Sequence, residues 1–117
     1  MTKKIFVADD DQGILEALRL MLEDEGYDVY THGSGAIVDE IKSTLPDLIL
    51  LDIWMSGQDG RQVAEALRRD ELTFRIPIIM ISAHKETGKI AESVGADDFI
   101  CKPFDIDEFL TKIQRFV

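Results

Sequence analysis

Six residues carry the chemical interest of this chain: Asp9, Asp10 and Asp11 in succession, then Asp52, Ser82 and Lys102. Each group sits where a short apolar run stops. The acidic trio follows Ile5-Phe6-Val7-Ala8, Asp52 closes Leu48-Ile49-Leu50-Leu51, Ser82 closes Ile78-Ile79-Met80-Ile81, and Lys102 follows Phe99-Ile100-Cys101. Gathered in one pocket, the carboxylates of Asp9, Asp10 and Asp52 would repel one another strongly. A divalent cation and the Lys102 ammonium would together cancel their charge. Hard oxygen donors with positions left open for water and phosphate suit Mg²⁺, or Mn²⁺ in its place. A carboxylate in such a pocket can attack a phosphoryl group in line and form an acyl phosphate. The cation and Lys102 would stabilise charge on the transferring oxygens, and the Ser82 hydroxyl could donate to the new phosphate.

That chemistry requires elements that bring distant residues together. Five apolar runs alternate with five segments of helical period, the second run being the more polar Asp28-Val29-Tyr30, which suits a sheet edge. The helical stripes are Leu15, Leu18 and Leu22; Ile37, Ile41 and Leu45; Val63, Ala64 and Leu67; Ile90, Ala91 and Val94; and Ile106, Phe109, Leu110 and Ile113. Their spacings of three, four or seven predict one core-facing side per helix. Gly26 and Gly95 stand where C-cap glycines are expected, and Pro46 and Pro77 precede buried runs. Regular β-α alternation implies right-handed crossovers and a parallel sheet with helices on both faces. In such sheets ligands bind beyond the carboxyl ends of the strands, where these six residues stand.

In sequence these segments resemble the receiver domains of response regulators, over nearly the whole chain. The resemblance rests on Ile5-Phe6-Val7-Ala8-Asp9-Asp10-Asp11, on Pro46-Asp47-Leu48-Ile49-Leu50-Leu51-Asp52-Ile53-Trp54-Met55 with Gln58-Asp59-Gly60, on Ile81-Ser82-Ala83, and on Gly95-Ala96-Asp97-Asp98-Phe99-Ile100-Cys101-Lys102-Pro103-Phe104. It implies a flavodoxin-like α/β fold, a (βα)5 doubly wound parallel five-stranded sheet in the order 2-1-3-4-5, with residues 1–117 as one receiver domain. It implies that Asp52 is phosphorylated, that Asp10, Asp52 and the Trp54 carbonyl bind Mg²⁺ directly, and that Asp9 acts mainly through water. Lys102 would contact the phosphoryl group, with a cis bond to Pro103. Ser82 would move toward the phosphate and Phe99 would swing inward behind it. The helix from about Lys85 to Val94, the fifth strand and the last helix would form the responding face. The implied donors are a histidine kinase or a histidine phosphotransfer protein, and the implied output is a downstream protein target or onward relay.

Departures from the family pattern carry their own expectations. Ser56 replaces the usual proline after Met55, which would loosen that loop; Ser82 replaces threonine; Phe99 replaces tyrosine and so lacks a hydroxyl. Gly88 inside the fourth helical segment predicts a brief, mobile helix. Trp54, two after Asp52, and His84, two after Ser82, would flank the path of water to the acyl phosphate, and their rings should lengthen the signal.

Composition bounds the alternatives. At 117 residues and 45% apolar content the chain suits one domain, and no apolar run is long enough to span a bilayer or form a signal-peptide core. A net charge of −10 disfavours direct binding to nucleic acid. One cysteine, Cys101, forms no internal disulfide, fits a reducing cytoplasm, and reads as a small buried hydrophobe. Taken singly the site residues have plainer readings. Asp9, Asp10 and Asp11 could be a solvated turn and helix cap, Lys102 a surface lysine, Ser82 a polar strand end, Phe99 ordinary packing and Trp54 a shield for its loop. His84 reads as exposed; with one other histidine, His32, there is no zinc pattern. The acidic trio is no EF-hand, since the twelfth position from Asp9 is Leu20. Gly33-Ser34-Gly35 resembles a dinucleotide loop only faintly, as Val38 takes the third glycine position. An aspartyl phosphatase would need an acid at Trp54, and a flavin carrier would need a phosphate loop where three aspartates stand. A phosphorylation-independent adapter on the same fold is the remaining alternative.

Overall fold

A computed structural model describes residues 2–32 and 36–117. The element order is β1 (Lys4–Ala8), α1 (Gln12–Asp24), β2 (Asp28–Thr31), α2 (Ile37–Thr44), β3 (Leu48–Asp52), β4 (Trp54–Met55), β5 (Gln58–Asp59), α3 (Gly60–Arg69), β6 (Ile78–Ser82), α4 (Thr87–Ser93), β7 (Asp98–Cys101) and α5 (Ile106–Gln114). Five strands pair in parallel in the order β2-β1-β3-β6-β7, while β4 and β5 form a separate antiparallel hairpin. Counting only the main sheet, this is the expected 2-1-3-4-5 order, with the polar second strand at an edge. The order reverses between β1 and β3, so the crevice between their carboxyl ends is where a ligand site belongs.

Strand alternation divides the core in two. Phe6, Ala8, Ile49, Leu51, Ile78 and Met80 point to one face, where α2, α3 and α4 cover them with Ile37, Ile41, Val63, Ala64, Leu67, Ala91 and Val94. Ile5, Val7, Leu48, Leu50, Ile79, Ile81 and Ile100 point to the other, under Leu18 and Leu22 of α1 and Phe109 and Ile113 of α5. β1, β3 and β6 are buried along nearly their whole length, which explains their unbroken apolar runs.

Both predicted C-cap glycines adopt positive φ, +92° at Gly26 and +79° at Gly95. Behind Gly26 the Tyr27 N–H returns to the Leu22 carbonyl, and behind Gly95 the Ala96 N–H returns to Ala91. Three expectations need correction. Leu45 does not continue its stripe: α2 ends at Thr44, Leu45 takes a left-handed conformation (φ 48°) ahead of Pro46, and its side chain is exposed. Ile106 is also exposed, because it is the first residue of α5 and projects past the end of the core. Cys101 is exposed rather than buried: it is the last residue of edge strand β7, on the same strand face as the exposed Phe99. No described helix is long and apolar enough to cross a membrane.

Candidate functional site

The carboxyl edge of the sheet gathers the predicted residues. Asp9 follows β1 directly and is buried. Its Oδ1 accepts the Asp11 N–H at 2.9 Å, and its Oδ2 accepts from Lys102 Nζ at 2.9 Å. Asp52, the last residue of β3, is buried beside it, and the same ammonium lies 3.6 Å from its Oδ2. Asp52 Oδ1 accepts the Trp54 N–H at 3.3 Å. Lys102 follows β7; its backbone N–H donates to the Ser82 carbonyl, and its bond to Pro103 is cis as expected. Ser82 ends β6, buried, with its Oγ accepting the His84 N–H at 3.0 Å. Asp52, Trp54, Ser82, Ala83, His84 and Lys102 line one open cleft of about 420 Å³.

One lysine serving two buried acids leaves the pair short of positive charge. Burial pushes the Asp52 carboxyl up to about 6, helped by the neighbouring Asp9 carboxylate; Lys102 and the Trp54 N–H pull the other way without prevailing. A proton or a cation is therefore favoured at this spot. The donors available for a cation are all hard oxygens, which fits Mg²⁺. Among the described residues no three acidic, histidine or cysteine side chains form a ready-made cage.

The three consecutive aspartates divide their work. Asp11 caps α1, its Oδ1 accepting the N–H groups of Gly13 and Ile14 at 2.9 and 3.1 Å, so the helix-cap reading holds for this member. Asp9 is the buried partner of Lys102. Asp10 stays exposed at the rim, where its Oδ2 accepts the backbone N–H of Ser56. This revises the expectation that Ser56 loosens its loop. The segment is the β4–β5 hairpin, turned at Ser56 and Gly57 (φ +76°), and the Ser56 N–H, which a proline would lack, ties it to Asp10.

Sequence reasoning gave no role to several groups that shape the site. Gly60 opens α3 against the chain leaving Asp52: its N–H donates to the Ile53 carbonyl at 2.8 Å, and a Cβ there would overlap the Asp52 carbonyl oxygen. The spacing of Asp52 and Gly60 offered no hint of that approach. Arg61 forks onto Asp59, which draws the Asp59 carboxyl below its ordinary value. The Arg61 guanidinium carbon also sits 4.6 Å from the centre of the Trp54 ring. His84 meets Trp54 with ring centres 5.8 Å apart, and both side chains are exposed, as expected for His84.

Phe99 lies apart from the cleft. It projects from β7 over α4, half-exposed, against Gly88. Lys112 of α5 holds it there, with Nζ 4.9 Å from the ring centre and 2.6 Å from the Phe99 carbonyl oxygen. The brief α4 matches expectation, and Gly88 acquires a packing reason. The possible dinucleotide loop at Gly33-Ser34-Gly35 lies outside the described residues.

Comparison with known proteins places this geometry. The family model described as the response regulator receiver domain matches residues 5–114. The chemotaxis protein CheY4 of Vibrio cholerae is similar over 100% of both chains, with 26% identity and a TM-score of 0.90. A CheY-like response regulator receiver domain protein from Methanospirillum hungatei is similar over 98% of this chain and 93% of its own, with 29% identity and a TM-score of 0.87. The receiver domain of NtrX from Brucella abortus is similar over 95% of each chain, with 32% identity and a TM-score of 0.85.

Proposed function

The chain belongs to the response regulator receiver domain family, a phosphoacceptor family of two-component signalling, and on that premise we propose that Asp52 is its acceptor. The observation that carries this reading is a buried carboxylate at the switch point of the sheet, with an ammonium 3.6 Å away and a cleft opening onto it. A receiver assists its own phosphorylation and dephosphorylation and is not a turnover enzyme.

In the proposed step an Asp52 carboxylate oxygen attacks the phosphorus of a phosphohistidine on a histidine kinase or phosphotransfer protein. The new O–P bond forms as the N–P bond breaks, and the imidazole leaves with a proton from solvent. Lys102, already bridging Asp9 and Asp52, shifts toward the phosphoryl oxygens, and the Ser82 hydroxyl turns to donate to one of them. Asp10, Asp52 and the Trp54 carbonyl would hold Mg²⁺ or Mn²⁺, with Asp9 acting through water. When bound, the ion neutralises charge on the phosphoryl oxygens and on the acidic pair.

Movement of Ser82 would release Phe99 inward, altering the face made by α4, β7 and α5 that a downstream protein would read. Residues 1–117 act as one such unit, in the cytoplasm where its donors work. Trp54 and His84, lining the cleft, shield the acyl phosphate; Trp54→Asn combined with His84→Glu should shorten its lifetime, measured by loss of phosphoprotein after donor removal.

The acceptor is tested by treating the protein with a small phosphodonor and Mg²⁺ and weighing the product. One hydroxylamine-labile phosphoryl group, lost in Asp52→Asn, is expected. A phosphoryl group that persists in Asp52→Asn, or none on the unaltered protein, would end this assignment.

A further inference from the structure

Trp54 stands on a two-residue strand and is nearly half exposed, yet it lines the cleft beside Asp52. An indole so placed shields the cleft only if something fixes its orientation. Arg61, the second residue of α3, is held by its own fork: Nε lies 3.0 and 3.2 Å from the two Asp59 carboxylate oxygens, and the terminal Nη2 lies 2.6 Å from Oδ2. Asp59 is itself fixed, because it caps α3 by accepting the Arg61 backbone N–H at 2.9 Å and pairs with Trp54 across the β4–β5 hairpin. The guanidinium therefore meets the Trp54 ring, 4.6 Å from its centre, as a cation anchored on Asp59. His84 supplies a second ring, 5.8 Å from Trp54, and its Nδ1 accepts the Glu86 N–H, which fixes its own orientation.

We infer that Arg61 is a positioning residue for the lifetime of the acyl phosphate: anchored by Asp59, it braces the Trp54 indole as a wall of the cleft. Arg61 does not line the cleft itself, so it acts through Trp54. The inference rests on the assignment of Asp52 as acceptor and names what controls the reverse step. In that step water attacks phosphorus in line, its oxygen bonds to phosphorus, and the Asp52 O–P bond breaks. Asp52 leaves as a carboxylate, and both water protons depart on inorganic phosphate. A fixed indole keeps water from the approach; a loose one admits it.

The test is a double-mutant cycle on the full chain. Arg61→Ala should shorten the phosphorylated lifetime by about two- to five-fold, the range that an exposed cation–π contact supports. Arg61→Gln, which keeps bulk but loses the cation, should do the same. In a Trp54→Asn background neither change should shorten the lifetime further. In the unphosphorylated protein, Trp54 fluorescence anisotropy should fall in both variants while the melting temperature stays near that of the unaltered protein. An unchanged anisotropy, or the same fold-shortening with Trp54 already removed, overturns the inference while leaving Asp52 as acceptor. Absence of any acyl phosphate on the unaltered protein would instead remove the acceptor assignment and this inference with it.

Discussion

Gly60 shows how closely backbone controls this site. A Cβ at that position would run into the Asp52 carbonyl oxygen and come within 2.8 Å of Ile53 Cα. Both obstacles are main chain, so no rotamer change relieves them. Gly60→Ala should therefore cost about 1–3 kcal/mol, the usual penalty of overpacking, read as a lowered urea midpoint. It should also displace Asp52, so that labelling by a phosphodonor falls even where the variant is fully folded. Unaltered stability and labelling together would show that the chain yields there at no cost. The same residue scale explains the acidic trio, whose three identical side chains perform three tasks. Helix position settles the cap role of Asp11, and depth settles that of Asp9. Asp10 is engaged by a backbone group 46 residues away.

At the scale of elements, two linkages stand out. Arg68 of α3 donates from Nε to the Gly95 carbonyl at 2.8 Å, from Nη1 to those of Ile76 and Phe74 at 2.7 and 3.1 Å, and from Nη2 to Asp97 at 2.7 Å. One side chain thus joins α3 to the loops on either side of β6 and α4. Arg68→Ala should lose about 0.5–1.5 kcal/mol, since water can reach most of those acceptors, and Arg68→Lys should recover little, because an ammonium cannot span the planar fork. Thermal melts of both variants check this; full recovery by lysine would reduce the role to charge alone. The second linkage is the seat of Phe99. A Cβ on Gly88 would lie 3.1 Å from two atoms of the Phe99 ring. Gly88→Ala would favour the α4 helix by up to roughly 1 kcal/mol while displacing the ring from its seat and from Lys112. A changed fluorine NMR shift for labelled Phe99 is expected, and an identical spectrum would contradict the seat.

At the scale of the whole molecule, the site opposes stability. Asp52 titrates near 6 in the folded chain, above the ordinary aspartate value of 3.8, chiefly through burial. A carboxyl raised in this way binds its proton more tightly in the native state than in the unfolded one, so stability declines as pH climbs between those two values. The penalty is absent well below 3.8, complete above about 6, and amounts to roughly 2–3 kcal/mol. Asp52→Asn should melt higher than the unaltered protein at pH 7.5 without divalent ions, and the gap should close near pH 4. Equal melting temperatures across that range would mean the pocket accommodates the charge without strain. A functional carboxylate held at the expense of stability is the pattern expected of a built site.

Much of this was legible in order and type of residue alone. Alternation of apolar runs with helical stripes dictates a parallel sheet, because parallel strands need crossovers. A parallel sheet in turn sends every strand's carboxyl end to one edge, so Asp9, Asp52, Ser82 and Lys102 had to meet there. Local signals also sufficed for the glycine C-caps and the edge strand. Direction and partner were another matter. Cys101 is exposed because it ends an edge strand, Leu45 because α2 stops before Pro46, and Asp10 is tied because a hairpin folds back to it. Arg61 meets Trp54 because that same hairpin sets them side by side. Such contacts depend on where loops return and how far helices reach. Those lengths and angles are fixed by packing across the whole chain, and no local pattern of residues encodes them.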